Sequence, residues 1–84
     1  MFVIYSKSDC LNCAKAKLLL HDKSKIVVNC DELLKTDRES FMNEMEKKMK
    51  CKFKSFPMIF IDDIYLGGYD ELVDHLQFEL VEEF

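Results

Sequence analysis

Cys10-Leu11-Asn12-Cys13 is the stretch on which the fold turns. Before it stands Phe2-Val3-Ile4-Tyr5, a short apolar run that reads as a buried strand. After it comes Ala14-Lys15-Ala16-Lys17-Leu18-Leu19-Leu20, built from strong helix formers. The two thiols therefore fall where a strand becomes a helix. A thiol there faces the unpaired amides of the first turn and the positive end of the helix dipole. Both favour thiolate, the form that attacks disulfides. A Cys-x-x-Cys pair next to a βαβ pattern is a redox signature.

Working outward, the polar Ser6-Lys7-Ser8-Asp9 forms a turn before the helix, which is expected from about Leu11 to Asp22. Leu11, Ala14 and Leu18 fall on one face, Leu19 and Leu20 widen it, and Lys15 and Lys17 point to solvent. Lys25-Ile26-Val27-Val28-Asn29 reads as a second strand, and its continuous apolar run suits one covered on both faces. Strand, helix and strand over so short a span imply a parallel unit.

Thr36-Asp37-Arg38-Glu39 matches a capping box with Thr36 as cap, opening a second helix to about Met49. Its apolar stripe is Phe41, Met42, Met45 and Met49. Lys47, Lys48, Lys50, Lys52 and Lys54 follow as a solvated, basic helix end. Pro57, the only proline, opens the strand Met58-Ile59-Phe60-Ile61. Asp62-Asp63 is a tight turn, and Ile64-Tyr65-Leu66 an antiparallel partner. Gly67-Gly68, the only glycines, permit an unusual backbone path or close approach by a ligand. Asp70 is the expected cap of a last helix, about Glu71 to Glu83, with Leu72, Leu76, Leu80 and Phe84 in a row beside Val73 and Val81. The order β-α-β-α-β-β-α gives one α/β domain spanning residues 1–84, a four-stranded mixed sheet flanked by three helices.

Composition sets limits on function. The 84 residues suffice for one core, with 49% apolar residues and seven Phe. A net charge of −4 argues against bulk attraction to nucleic acid. No apolar run approaches a membrane span, and with Met1 leading straight into the first strand a secretory signal is not expected. A cytoplasmic monomer is expected. The even count of four cysteines raises a secreted disulfide framework, which the missing signal and the good core disfavour. A zinc site wants a second close pair, but Cys30 and Cys51 stand 21 positions apart, so no metal is expected. They read as small buried or half-buried residues. His21 lies eleven residues past Cys10, roughly 16 Å along a helix, too far to be its base. His75 reads as a surface residue.

With these motifs in order, the chain resembles a glutaredoxin of the thioredoxin-fold superfamily over essentially its whole length. The segment from Tyr5 to Cys13 is similar to the family segment in which a lysine precedes the first active cysteine by three. Ser55-Phe56-Pro57 falls where the family carries Thr-Val-Pro with a cis peptide bond, and Gly67-Gly68-Tyr69-Asp70-Glu71 matches its paired glycines and acidic helix start. The resemblance implies thiol–disulfide exchange fed by glutathione, acting on disulfide-bonded or glutathionylated proteins. Cys10 would be the nucleophile and Cys13 the resolving thiol. Lys7 and Lys54 would hold the glycine carboxylate of glutathione. The backbone of Phe56, next to Pro57, would pair with its cysteine, and Gly68, Tyr69 and Asp70 would hold the γ-glutamyl end. Elementary electrostatics agrees, since glutathione carries two carboxylates and a helix start after glycines suits an anion.

The chain also departs from the family pattern. Leu11 and Asn12 replace the usual Pro and Tyr, Asp9 brings a charge that opposes thiolate formation beside Cys10, and Phe56 is bulkier than the usual valine. Two other readings stay open at this point. One is a thioredoxin-like carrier fed by a reductase protein; family potentials differ, roughly −270 mV against about −200 to −230 mV for glutaredoxins. The other is an iron–sulfur cluster held between two subunits by the first cysteine and glutathione.

Overall fold

The computed structural model describes residues 1–80, with side chains through Gln77. Its elements are β1 (Phe2–Ser6), α1 (Leu11–Leu19), β2 (Lys25–Asn29), α2 (Asp31–Thr36), α3 (Arg38–Met49), β3 (Met58–Ile61), β4 (Ile64–Gly67) and α4 (Tyr69–Leu80). The sheet order is β2-β1-β3-β4. β1 runs parallel to β2 and antiparallel to β3, and β3 pairs antiparallel with β4. Asp62 and Asp63 make the β3–β4 turn, both with positive φ, +48° and +69°. Such left-handed pairs match the twist of a two-residue hairpin.

Alternation along β1 separates two apolar layers. Val3 and Tyr5 meet Phe41, Met45 and Met49 of α3, together with Met58 and Phe60. Phe2 and Ile4 meet Ala16 and Leu20 of α1, Leu72 of α4 and Ile59. Leu20, Met45, Ile59 and Leu72 are essentially inaccessible. Truncating one of the large ones to alanine costs about 2–5 kcal/mol.

Several sequence expectations need correction. The mixed four-stranded sheet stands, but the described residues hold four helices. The extra one, α2, fills the connection after β2, with Asp31 and Glu32 at its positive end. Thr36 closes α2, its hydroxyl donating to Glu32 O at 2.9 Å. The cap of α3 is Asp37, which accepts from the Ser40 amide. The capping-box residues are thus offset by one from the sequence reading.

The α1 helix ends at Leu19; its buried residues are Cys13 and Ala16, followed by the buried C-cap Leu20. Leu11 and Leu18, expected inside, are 71% and 72% exposed. Cys13 sets this rotation: once its thiol turns inward as a small apolar group, residues at helical spacing from it follow. Ala14 is exposed.

β2 is an edge strand, not one covered on both faces; Ile26 and Val27 are 50% and 41% exposed. His75 is half-buried, its ring edge-on to Phe2 at 6.3 Å. α4 begins at Tyr69, before the expected start, because Glu71 reaches back to cap it through Gly68. The Leu80 side chain, Val81, Glu83 and Phe84 lie outside the described residues.

Candidate functional site

Cys10 is the N-cap of α1. Its backbone is extended (φ −128°, ψ 105°), and its Sγ accepts the Cys13 amide at 3.2 Å. Its carbonyl accepts the first helical bond, from Ala14 N at 3.2 Å. Sulfur thus takes the place that a Ser or Asp oxygen fills in an ordinary cap. Cys10 and Cys13 are joined as a disulfide, their Cα atoms 5.2 Å apart. Cys10 is half-buried at the rim, whereas Cys13 is 1% exposed.

The loop before Cys10 is pinned from outside. Asp9 takes a left-handed conformation, φ +55°. Ser8 donates both its amide, at 2.9 Å, and its hydroxyl to the Asp31 carboxylate at the start of α2. These Ser8 bonds hold the Asp31 carboxyl below its ordinary range. Asp31 N in turn donates to Asn29 Oδ1 at 2.9 Å, tying the loop to the end of β2. Nothing in the sequence singled out Asp31; a polar residue twenty-three positions away gives no local signal.

A cleft of about 530 Å³ opens beside the disulfide. Lys7, Asp9, Cys10, Leu11, Arg38 and Phe56 are among its lining residues. Lys7 Nζ lies 5.9 Å from the centre of the Phe56 ring. Phe53 stacks edge-on to Phe56 at 5.5 Å, and its amide donates to Glu46 Oε2 at 2.9 Å. Arg38, at the first turn of α3, also lines the cleft, where the sequence shows only a capping motif.

Lys54 does not line this cleft. It lies across Ser55, in a second hollow of about 170 Å³ with Gly67, Gly68 and Glu71. The Phe56–Pro57 peptide bond is cis, and both residues are buried. Gly68 abuts them: a Cβ there would sit 3.5 Å from the Pro57 carbonyl oxygen. Its amide donates to Glu71 Oε1 at 2.7 Å, half of a capping box. Gly67 has φ +140°, and a Cβ there would meet the Glu71 side chain at 2.5 Å, so this position admits only glycine. Tyr69 packs below Lys15, whose Nζ is 5.5 Å from the ring centre. Asp70 is exposed in the first turn of α4, two residues past Gly68, and so is not its cap.

The other two cysteines are free. Cys51 is exposed beside Lys54, and Cys30 is fully buried. Burial, and then the Asp31 charge, push the Cys30 thiol up to about 11. Among the described residues no cluster of three His, Cys, Asp or Glu side chains converges as metal ligands, and no helix is long and apolar enough to cross a membrane.

Known proteins share both this fold and its sequence pattern. A model of the glutaredoxin family matches residues 2–66. Glutaredoxin 1 of Rickettsia felis is 34% identical over 74 residues, which is 86% of this chain and 68% of that protein. The crystal structure of glutaredoxin 1 from Francisella tularensis, complexed with cacodylate, superposes with a TM-score of 0.78 at 28% identity, covering 94% of each chain. A buckwheat glutaredoxin–glutathione complex shares the fold at 21% identity, with a TM-score of 0.75 over 96% of this chain and 73% of that one. With the family match spanning most of the chain and the cysteine pair capping α1, this protein belongs to the glutaredoxin family of thiol–disulfide oxidoreductases.

Proposed function

We propose that this protein uses glutathione to reduce glutathione mixed disulfides and protein disulfides, with Cys10 as nucleophile and Cys13 as resolving thiol. The observation that carries this reading is the Cys10 sulfur as N-cap, accepting a first-turn amide at the mouth of a cation-lined cleft. An amide aimed at the sulfur stabilises negative charge on it. Cys10 thiolate attacks the glutathionyl sulfur of a target, and the target leaves as its thiolate. A second glutathione thiolate then attacks the Cys10–glutathione bond, releasing glutathione disulfide and restoring Cys10. On a protein disulfide, Cys13 instead attacks Cys10 within the mixed disulfide. The reduced protein leaves, and two glutathiones reopen the Cys10–Cys13 bond. Such turnover suits a reducing, cytoplasm-like compartment.

Glutathione would lie along Phe56 and Pro57, spanning both hollows. Lys7 and Arg38 flank the cleft that would take its glycine carboxylate. Lys54 and Gly68 line the hollow that would take the γ-glutamyl group, and Tyr69 and Asp70 follow them at the start of α4. This moves Lys54 from the glycine end, where the resemblance put it, and supplies Arg38 in its place.

The test is a glutathione-coupled assay on a glutathionylated peptide and on a small glutathione mixed disulfide. Saturable turnover in glutathione is expected. Lys7→Ala or Arg38→Ala should each raise the KM for glutathione about fivefold, on the order of 1 kcal/mol for an exposed pair. The increase should shrink with added salt. It should disappear with glutathione esterified at its glycine carboxylate. Turnover that needs a reductase protein and ignores glutathione would refute the reading.

A further inference from the structure

Residues 7–9 link β1 to Cys10, and two bonds from Ser8 hold them. The Ser8 amide donates to Asp31 Oδ1 at 2.9 Å and its hydroxyl to Asp31 Oδ2, so one carboxylate takes both. Among the described residues these are the hydrogen bonds that residues 7–9 make. Asp31 is itself fixed, because its amide donates to Asn29 Oδ1 at 2.9 Å. What the Ser8 bonds restrain is not a relaxed turn. Asp9 stands at φ +55°, a region that crowds the Cβ of an L residue. Next comes Cys10, whose φ of −128° and ψ of 105° aim its sulfur at the Cys13 amide, 3.2 Å away. With Ser8 free, Asp9 relaxes toward negative φ, and that rotation swings Cys10 off the amide. Neither Ser8 nor Asp31 lines the disulfide cleft, so the restraint acts on the thiol from outside it.

We propose that Asp31 is a positioning residue for catalysis: by clamping Ser8 it holds Asp9 left-handed and keeps the Cys10 sulfur in its cap. This role rests on the reading of Cys10 as the attacking thiol. It is distinct from the role of a nearby charge. A carboxylate acting through space opposes the thiolate, so its removal speeds Cys10. A carboxylate acting through the clamp supports the thiolate, so its removal slows Cys10. The signs are opposite. A neutral side chain can also serve the clamp. Asp31→Asn supplies a carbonyl that accepts the Ser8 amide and an NH2 that donates to the Ser8 hydroxyl. That substitution separates geometry from charge.

The test is iodoacetamide alkylation of the reduced full-length chain at one mildly acidic pH, with Cys10 followed in its own peptide, beside steady-state turnover. Asp31→Ala should slow Cys10 about fivefold, the equivalent of one lost cap bond. It should lower kcat for deglutathionylation and leave the KM for glutathione unchanged, since Lys7 and Arg38 stay in the cleft. Asp31→Asn should react at least as fast as the wild type. Ser8→Ala, which keeps the amide bond and loses the hydroxyl bond, should fall between the wild type and Asp31→Ala. Added to Asp31→Ala, it should slow Cys10 no further, because both act through one clamp. Asp31→Ala at or above the wild-type rate would overturn the proposal. So would Asp31→Asn as slow as Asp31→Ala, Ser8→Ala at the wild-type rate, additive losses in the double variant, or a raised KM with kcat unchanged. Should Asp31→Ala fail to fold, Asp31→Asn and Ser8→Ala decide between them. A wild type that ignores glutathione would refute the functional reading alone, because the alkylation rates report on Cys10 whatever reduces it.

Discussion

Cys10 and Cys30 occupy matching places in the chain, each standing between a parallel strand and a helix as its N-cap. Their chemistry diverges all the same. Cys10 has an extended backbone, and its sulfur accepts the Cys13 amide. Cys30 sits at φ −101°, ψ 6°, makes no side-chain cap bond, and points its thiol at Val28 O, 3.7 Å away. Cys10 opens onto a cleft holding Lys7 and Arg38; Cys30 is sealed, with Asp31 adjacent. A helix start alone therefore does not make a reactive thiol. The cap rotamer must aim the amide at sulfur, and solvent or a cation must be within reach of the charge.

The sharpest way to break this comparison is substitution at each cap. Cys10→Ser should abolish reduction of both glutathionylated peptides and protein disulfides in the coupled assay. Cys30→Ser should keep most of both activities, because that thiol stays out of the chemistry. Next in size is Cys13→Ser, which should keep deglutathionylation and lose most protein-disulfide reduction. Loss of both with Cys13→Ser, while Cys10→Ser retained either, would reverse the roles.

A third effect belongs to Cys30 and to pH. Its folded thiol titrates near 11 instead of its ordinary value of 9.0, so the folded state holds that proton more tightly than the unfolded chain does. Stability from this group is complete below the ordinary thiol range and is lost as pH rises toward the folded value. Denaturant midpoints should fall across that alkaline window, and Cys30→Ala should flatten the fall. The smallest effect concerns Asp9, whose carboxylate lines the cleft with Cys10. Asp9→Ser should speed alkylation of reduced Cys10 at mildly acidic pH by a few-fold. An unchanged or slower rate would show that this charge does not reach the sulfur.

The same contrast explains what the sequence could tell. β1, β2 and β3 were legible because β-branched and aromatic runs have few alternatives. The redox pair was legible from its spacing and its place before a helix. The burial of Cys13 was not, because periodicity ranks leucine above cysteine and so chose the wrong face of α1. Nor was the exposure of β2, since an apolar run does not reveal whether a further strand or helix covers it. The short α2 lacks an apolar stripe, and Arg38 enters the cleft only because Asp37, one residue earlier, caps α3. Lys54 was expected to hold the glycine carboxylate together with Lys7, and only the fold separates its hollow from that of Lys7.

The central claim is that cap geometry, and not the helix start itself, makes Cys10 the reactive thiol. Alkylation of the reduced protein across a pH series, read peptide by peptide, tests it most directly. Cys10 should reach its half-maximal rate below the ordinary thiol range. Cys30 should stay unmodified until pH approaches about 11. Cys10 titrating at or above the ordinary value, or Cys30 reacting alongside it, would contradict the account.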